Sequence, residues 1–266
     1  MEKINRSVAR ALEMLELVAD STEELTITEI SKSLGIPKST TFDIIYTLVD
    51  KGYLDVANAR AKSFKLGLKL FQTGAAYLDQ APFYEVARPI LEELAAQAQE
   101  TTFLAMENEG YLVYLDKVES SASVRTSARI GSNNPIYCTG LGKALLAAMP
   151  DQRVRDILAM TGGLKPITDY TITDEDKFFT ILNEARRRGY AIDDREHNAE
   201  VFCVAAPVYN AYGKPQAAIS IASLFSKIQN DPARIEQLGG MISRAALLIS
   251  QRIGFRSDKL YSDFRQ

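Results

Sequence analysis

Residues 24–54 read ELTITEISKSLGIPKSTTFDIIYTLVDKGYL, and the reading of this stretch decides the N-terminal fold. Thr26 or Thr28 can cap a short helix carrying Ile30 and Leu34, which Gly35 ends in the left-handed conformation. Pro37 and Ser39 then open a second helix, with Ile44, Ile45, Leu48 and Val49 as its buried stripe and Gly52 as its stop. Two short helices joined across a Gly-centred turn, the second opening with small polar residues, form a helix-turn-helix. Upstream, Val8, Leu12, Leu15 and Ala19 recur at helical spacing and predict a helix over 5–20 that buries this face. Downstream, YLDVANARAKSFKL (53–66) predicts two short strands joined by a turn at Asn58–Ala61, a β wing. A generic three-helix bundle is the competing reading; the order of helix, helix, Gly turn, Ser-Thr-Thr and wing favours a winged helix-turn-helix.

In that fold the start of the second helix and the wing face a duplex. The candidate DNA contacts are therefore Lys38, Ser39, Thr40, Thr41, Phe42, Asp43 and Tyr46 on the helix, with Arg60 and Lys62 on the wing. Residues 1–65 hold nine lysines and arginines against ten acids, a net charge of −1, and the whole chain carries −3. Weak non-specific binding is expected, so affinity rests on the cations of the docking face and on dimer geometry. Asp43 cannot bind phosphate. It fits a hydrogen bond from cytosine N4, an orienting contact to Lys38 or a nearby Arg, or a solvated intrahelical role. One recognition helix reads only a few base pairs, so a homo-oligomer on a palindromic double-stranded operator is expected, with the apolar faces of 5–20 and 66–80 available to pair protomers.

The 266 residues suffice for two domains, and 46% apolar with 24% charged residues is ordinary for a globular protein. The longest apolar run, VFCVAAPV (201–208), is far too short to span a bilayer, and the N-terminus lacks the pattern of a signal peptide. Two cysteines are too few for a disulfide scaffold, and a reduced cytoplasmic protein without membrane partners is the simplest expectation.

The expected organisation is a winged helix-turn-helix over 1–66, a linker helix over 67–81, an effector-type domain over 82–256 and a tail over 257–266. LGLKLFQTGAAYLDQA (66–81) spaces Leu66, Leu70, Phe71, Ala75 and Leu78 helically, and Pro82 marks a boundary before a new helix. Beyond it, TTFLAMENEGYLVYLDKVES (101–120) predicts a hairpin turning at Glu109-Gly110, and SVRTSARIG (123–131) a third strand. Helices follow at 139–149, 151–160 and 174–188, then a hairpin over 201–224 turning at Tyr212-Gly213. A closing helix from 232 is weakened by Gly239-Gly240. This order indicates an α+β domain on an antiparallel sheet, GAF- or profilin-like in class.

CTGLGKALLAAMP (138–150) first suggests a phosphate loop. Tyr137 stands where a Walker loop needs Gly, Ala144 where it needs Ser or Thr, and Leu145 where a dinucleotide fingerprint needs Gly, so both readings fail. What remains is a helix N-terminus capped by Thr139, with Gly140, Leu141 and Gly142 offering backbone N–H groups to an anion, or else a glycine turn needed only for packing.

The N-terminal stretch SVARALEMLELVADSTEELTITEISKSLGIPKSTTFDIIYTLVDKGYL resembles the IclR family of bacterial transcriptional regulators, and SFKLGLKLFQTGAAYL is similar to the family's linker helix. RIGSNNPIYCTGLGKALLAAMP and RGYAIDDREHNAEVFCVAAPVYNAYGKPQAAISIA resemble its effector-pocket and C-terminal signature segments, so the resemblance covers nearly the whole chain. It implies a ligand-responsive DNA-binding regulator, a dimer or dimer of dimers, in which Gly140, Leu141, Asp193, Cys203 and Ser220 hold a small carboxylate. Closest is the branch that controls sugar-acid catabolism, which implies a keto-acid or sugar-acid effector. This sequence departs from the family where Ala222 replaces a second serine and where Arg195-Glu196 and Glu200 replace an acidic pair and a Gly. Arg195 fits either a solvated loop or a pocket cation.

Without the family the chemistry is coherent: backbone donors for a carboxylate, Asp193 for a ligand hydroxyl and Ser220 for either. Cys203 reads as a pocket wall, since an apolar strand raises a thiol pKa. The alternative function is an enzyme acting on a small organic acid with a nucleic-acid-binding appendage. It needs His197, the only histidine, to fold back onto Cys203; His197 is expected to be an exposed loop residue instead. Cys138, Cys203 and His197 match no standard metal spacing, so no catalytic residue, metal or cofactor is expected.

Overall fold

A computed structural model describes residues 4–79, 81–120 and 128–256, and the chain divides into two compact units, 1–81 and 82–266. The first unit runs α1 (Arg6–Asp20), β1 (Leu25–Thr26), α2 (Ile27–Leu34), α3 (Lys38–Asp50), β2 (Leu54–Asn58), β3 (Ser63–Leu66) and α4 (Leu68–Asp79). Thr26 caps α2 in a reciprocal box: its hydroxyl accepts from the Glu29 N–H at 3.3 Å, and the Glu29 carboxylate accepts from the Thr26 N–H at 2.8 Å. Gly35 follows at φ 63°, donating to the Ser31 carbonyl. The three strands order β1-β3-β2, and Asn58 Oδ1 accepts from the N–H groups of Arg60 and Ala61, both at 3.0 Å, to shape the wing turn.

The core of this unit is Met14, Val18, Ile30, Ile36, Ile45, Leu54 and Phe64. It corrects two sequence-based stripes. On α1 the buried line is Met14 and Val18, while Val8 and Leu12 are 57% and 55% exposed. On α3 it is Thr41 and Ile45, and Ile44, Leu48 and Val49 only flank the core. Both helices carry an apolar arc wider than the line that reaches the centre, and periodicity alone does not choose within it. The linker helix expected over 67–81 begins one residue later than read, at Leu68, because Leu66 closes β3. Its start is tied to the winged motif: the Gly67 N–H donates to the Tyr53 carbonyl at 2.9 Å and the Lys69 N–H to the Gly52 carbonyl at 3.2 Å.

The second unit opens with α5 (Pro82–Ala98), then β4 (Thr101–Asn108), β5 (Tyr111–Val118), β6 (Asn133–Pro135), α6 (Gly140–Ala147), α7 (Asp151–Thr161) and α8 (Glu175–Arg188). It closes with β7 (Ala191–Asp194), β8 (Val201–Tyr209), β9 (Pro215–Leu224), α9 (Phe225–Ile228) and α10 (Pro232–Arg252). Six antiparallel strands order β6-β5-β4-β9-β8-β7. The chain is thus a winged helix-turn-helix followed by an α+β domain on an antiparallel sheet. Asp193 pairs with Cys203, Cys203 with Ala222, Ala205 with Ser220, and Ser220 with Phe103. Directly paired residues share a face, so this register gathers Asp193, Cys203, Ala205, Ser220 and Ala222 on one side of the sheet, where the start of α6 packs.

Of the expected third strand, 123–127 lies outside the described residues and 128–131 is not strand. The Gly131 N–H donates to the Tyr114 carbonyl in a turn, and the edge strand is the short β6 instead. Nor do Gly239 and Gly240 interrupt α10, because the Tyr190 ring fills the space a side chain at Gly239 would need.

Candidate nucleic-acid interface and ligand cavity

The N-terminus of α3 follows Pro37, which offers no side-chain cap, so the first N–H groups of the helix stay open to an anion. Lys38 and Ser39 are exposed there, Thr40 is half-buried, and Phe42, Asp43 and Tyr46 are exposed along the same helix. The Phe42 and Tyr46 rings lie 4.4 Å apart, and Tyr46 meets the buried Phe64 ring edge-on at 5.9 Å. Arg60 and Lys62 are exposed on the wing, and neither they nor Lys38 has an ion-pair partner among the described residues. Thr41 is a correction. It is fully buried and its hydroxyl donates to the Pro37 carbonyl at 3.1 Å, because it occupies the inner line of α3; its side chain is not available to a duplex.

In the second unit Gly140, Leu141, Asp193, Cys203 and Ser220 all line one cavity of about 220 Å3. Phe103, Cys203, Ser220 and Ala222 form its sheet floor, and Thr139, Gly140 and Leu141 present the start of α6. Thr139 caps that helix by accepting from the Gly142 N–H at 3.1 Å. Gly142 is therefore not an open donor, contrary to its sequence reading. It is glycine because a Cβ there would collide with the Ile136 carbonyl. The N–H groups of Gly140 and Leu141 remain for a ligand. Asp193 is 3% exposed, and its Oδ1 accepts from the Glu196 N–H at 2.8 Å. Burial pushes its carboxyl up to about 7, against the counter-effect of Lys143 and the backbone donors. Burial likewise raises the Cys203 thiol far above the ordinary range and the Cys138 thiol to about 12, so neither is a ready thiolate.

Several participants were not legible as such. Lys143, one turn into α6, is 2% exposed and forms an ion pair with the buried Glu196; the other Glu196 oxygen, Oε2, is buried with no hydrogen-bond partner. Thr168 and Thr171 donate to the Glu196 carbonyl, at 3.3 and 2.7 Å, which fastens the loop after β7. A lysine inside the apolar run GLGKALLA was the available signal: a buried cation requires a buried anion. Arg195 is neither a solvated charge nor a cavity cation. Its guanidinium lies between the Tyr170 and Phe225 rings, 3.8 Å from each centroid, and pairs with Asp194 at 2.8 Å. His197 is half-buried on the cavity wall rather than exposed, and burial lowers its imidazole pKa, which favours the neutral form.

A larger cavity of about 490 Å3, mostly apolar, opens between α6, α8, β8 and α10 and contains none of these residues. Among the described residues no three His, Cys, Asp or Glu side chains are grouped to hold a metal ion, and no helix is long and apolar enough to cross a membrane.

Comparison with known proteins agrees with this layout. Residues 7–56 match the family described as the IclR helix-turn-helix domain, and residues 75–251 match the one described as bacterial transcriptional regulator IclR C-terminal. The HTH-type transcriptional regulator XynR of Escherichia coli K12 is 31% identical over 95% of this chain and 98% of its own length. The acetate operon repressor of Salmonella typhimurium LT2 is 30% identical, covering 94% of this chain and 90% of its own. The crystal structure of a regulator from Alicyclobacillus acidocaldarius superposes with a TM-score of 0.83 at 27% identity, over 95% of this chain and all of that one.

Proposed function

Because this chain belongs to the IclR family of bacterial transcriptional regulators, we propose that it reads a palindromic operator as a homo-oligomer and that a small organic acid in the 220 Å3 cavity sets its operator affinity. Its being a DNA-binding transcriptional regulator rather than an enzyme follows from the family; several of its relatives are repressors. The enzyme reading built on Cys203 and His197 is also disfavoured, since burial raises the Cys203 thiol pKa and so disfavours the thiolate. One observation carries the effector reading. Five residues spread from 140 to 220 converge on one cavity, where the free N–H groups of Gly140 and Leu141 face a buried carboxyl and a buried hydroxyl. That donor and acceptor set suits a short keto acid or sugar acid. A relative named for repressing an acetate operon supports a target in small-carboxylate metabolism.

On the DNA side, Lys38, Ser39, Thr40, Phe42, Asp43 and Tyr46 of α3 and Arg60 and Lys62 of the wing form the docking face. A thermal-shift screen with short keto acids and sugar acids, followed by footprinting with each hit, tests the reading. It expects a hit that changes operator affinity by roughly 5–150-fold, the usual 1–3 kcal/mol of coupling. A ligand that stabilises the protein without changing operator affinity would reject it.

A further inference from the structure

The cavity combines backbone donors for an anion with a buried acid and, among the described residues that line it, no free cation. Lys143 is held by Glu196, and Arg195 is held by Asp194 between two aromatic rings. Asp193 stands beside the donors: its Cβ lies 3.5 Å from where a Cβ on Gly140 would sit. A carboxylate bound to the Gly140 and Leu141 N–H groups therefore comes close to the Asp193 carboxyl. The groups facing Asp193 are Cys138 and Lys143 from the α6 side, Cys203 on β8, Tyr114 on β5, and Glu196 and His197 of its own loop. Only Lys143 among them is a cation, and its charge is matched by Glu196. Two carboxylates crowded into such a site cannot both stay ionised.

We propose that the cavity binds a small monocarboxylate together with one proton taken from solvent, which resides on Asp193 and is donated to the ligand oxygen. This rests on the reading of the cavity as the effector site. Asp193 Oδ1 accepts from the Glu196 N–H and the His197 backbone also donates to this carboxyl, so the proton sits on whichever oxygen meets the ligand. A dianion brings a second charge that no described lining residue neutralises, so the site selects monoanions. Lys143 and Glu196 act as positioning residues: their pair fastens the Asp193 loop to α6, and Glu196 offsets part of the Lys143 charge that favours an ionised Asp193. The raised carboxyl of Asp193, about 7, puts the proton exchange within the neutral range.

The test is isothermal calorimetry on the full chain with pyruvate, glyoxylate, gluconate and oxalate. Each is titrated at about pH 6 and about pH 8, in two buffers of different ionisation heat. The Kd of any monocarboxylate that binds should rise about tenfold between these pH values, with proton uptake approaching one at the higher pH, as single-proton linkage requires. Oxalate should bind at least tenfold more weakly than that monocarboxylate. Asp193→Asn, which keeps a neutral donor, should show a flat pH dependence. Binding with no proton uptake and an unchanged Kd overturns the proposal while leaving the effector reading intact, as does wild-type pH dependence in Asp193→Asn or oxalate binding as tightly as the monoanions. Because uptake is read on the wild-type protein, a variant that fails to fold does not block the test. Absence of saturable binding by all four acids overturns the carboxylate site itself, and this inference with it.

Discussion

Lys143 and Glu196 show what one buried pair does. Replacing Lys143 by Met strands a buried carboxylate and should cost about 3–5 kcal/mol, read as a lowered urea midpoint of the second unit, while Lys143→Met with Glu196→Leu should regain most of it. Asp193 acts in the opposite sense. Its folded-state pKa, about 7, lies above its ordinary 3.8, so its contribution to stability is complete below 3.8 and is lost as pH rises to about 7, with no further change above. Asp193→Asn should therefore flatten the stability profile across that window, which urea melts at several pH values would show. On the DNA face, Lys38→Ala should weaken operator binding, and Lys62→Ala should reduce the salt slope by about one unit if it meets a phosphate. Thr41→Val should leave operator affinity of the folded protein unchanged, since that hydroxyl is turned inward. At this scale the five cavity residues were legible because motif and chemistry coincided. Lys143 and His197 were not, because whether a polar side chain is buried depends on what folds over it from 53 or more residues away in one case and on a single loop in the other.

Elements were legible in proportion to their length and to the clarity of their punctuation. The helices α2, α3 and α8 and the two long hairpins carry caps, αL glycines or turn dipeptides at their ends, and they fall close to where the sequence places them. The two-residue β1 and three-residue β6 have no period to read; pairing with β3 and β5 makes them strands. The capping box of α2 is a local device with a local cost: Thr26→Ala should destabilise the first unit by about 1 kcal/mol in thermal melts, leaving the second transition in place. Gly142→Ala is different in kind. A methyl group there meets the Ile136 carbonyl, so the first turn of α6 must move, and the donors at Gly140 and Leu141 move with it. Ligand binding should be lost by at least tenfold even under conditions where the unit stays folded, measurable by the same calorimetry.

For the whole molecule, the apolar surface left uncovered is informative. Val8 and Leu12 on α1 and Leu68 and Phe71 on α4 are each more than half exposed. Exposed apolar faces of this kind mark association surfaces, which supports protomer pairing through the first unit. Leu12→Glu combined with Phe71→Glu should lower the mass seen by light scattering at micromolar concentration and weaken operator binding, because the proposed palindromic operator needs two copies. Unchanged mass would place the pairing surface elsewhere. The sequence alone shows that these faces are apolar; that the core takes other residues, and so leaves them bare, needed the packed structure. Finally, the middle of the sheet joins Thr101 to Ala222 and Ser220 to Phe103, whereas the first unit closes entirely within residues 1–81. Long-range pairings form late, and chains fold from the N-terminus as they leave the ribosome. During synthesis the surface proposed to grip DNA is therefore finished well before β9 has been made. A chain cut short by a premature stop anywhere between these points carries the grip without the cavity proposed to control it.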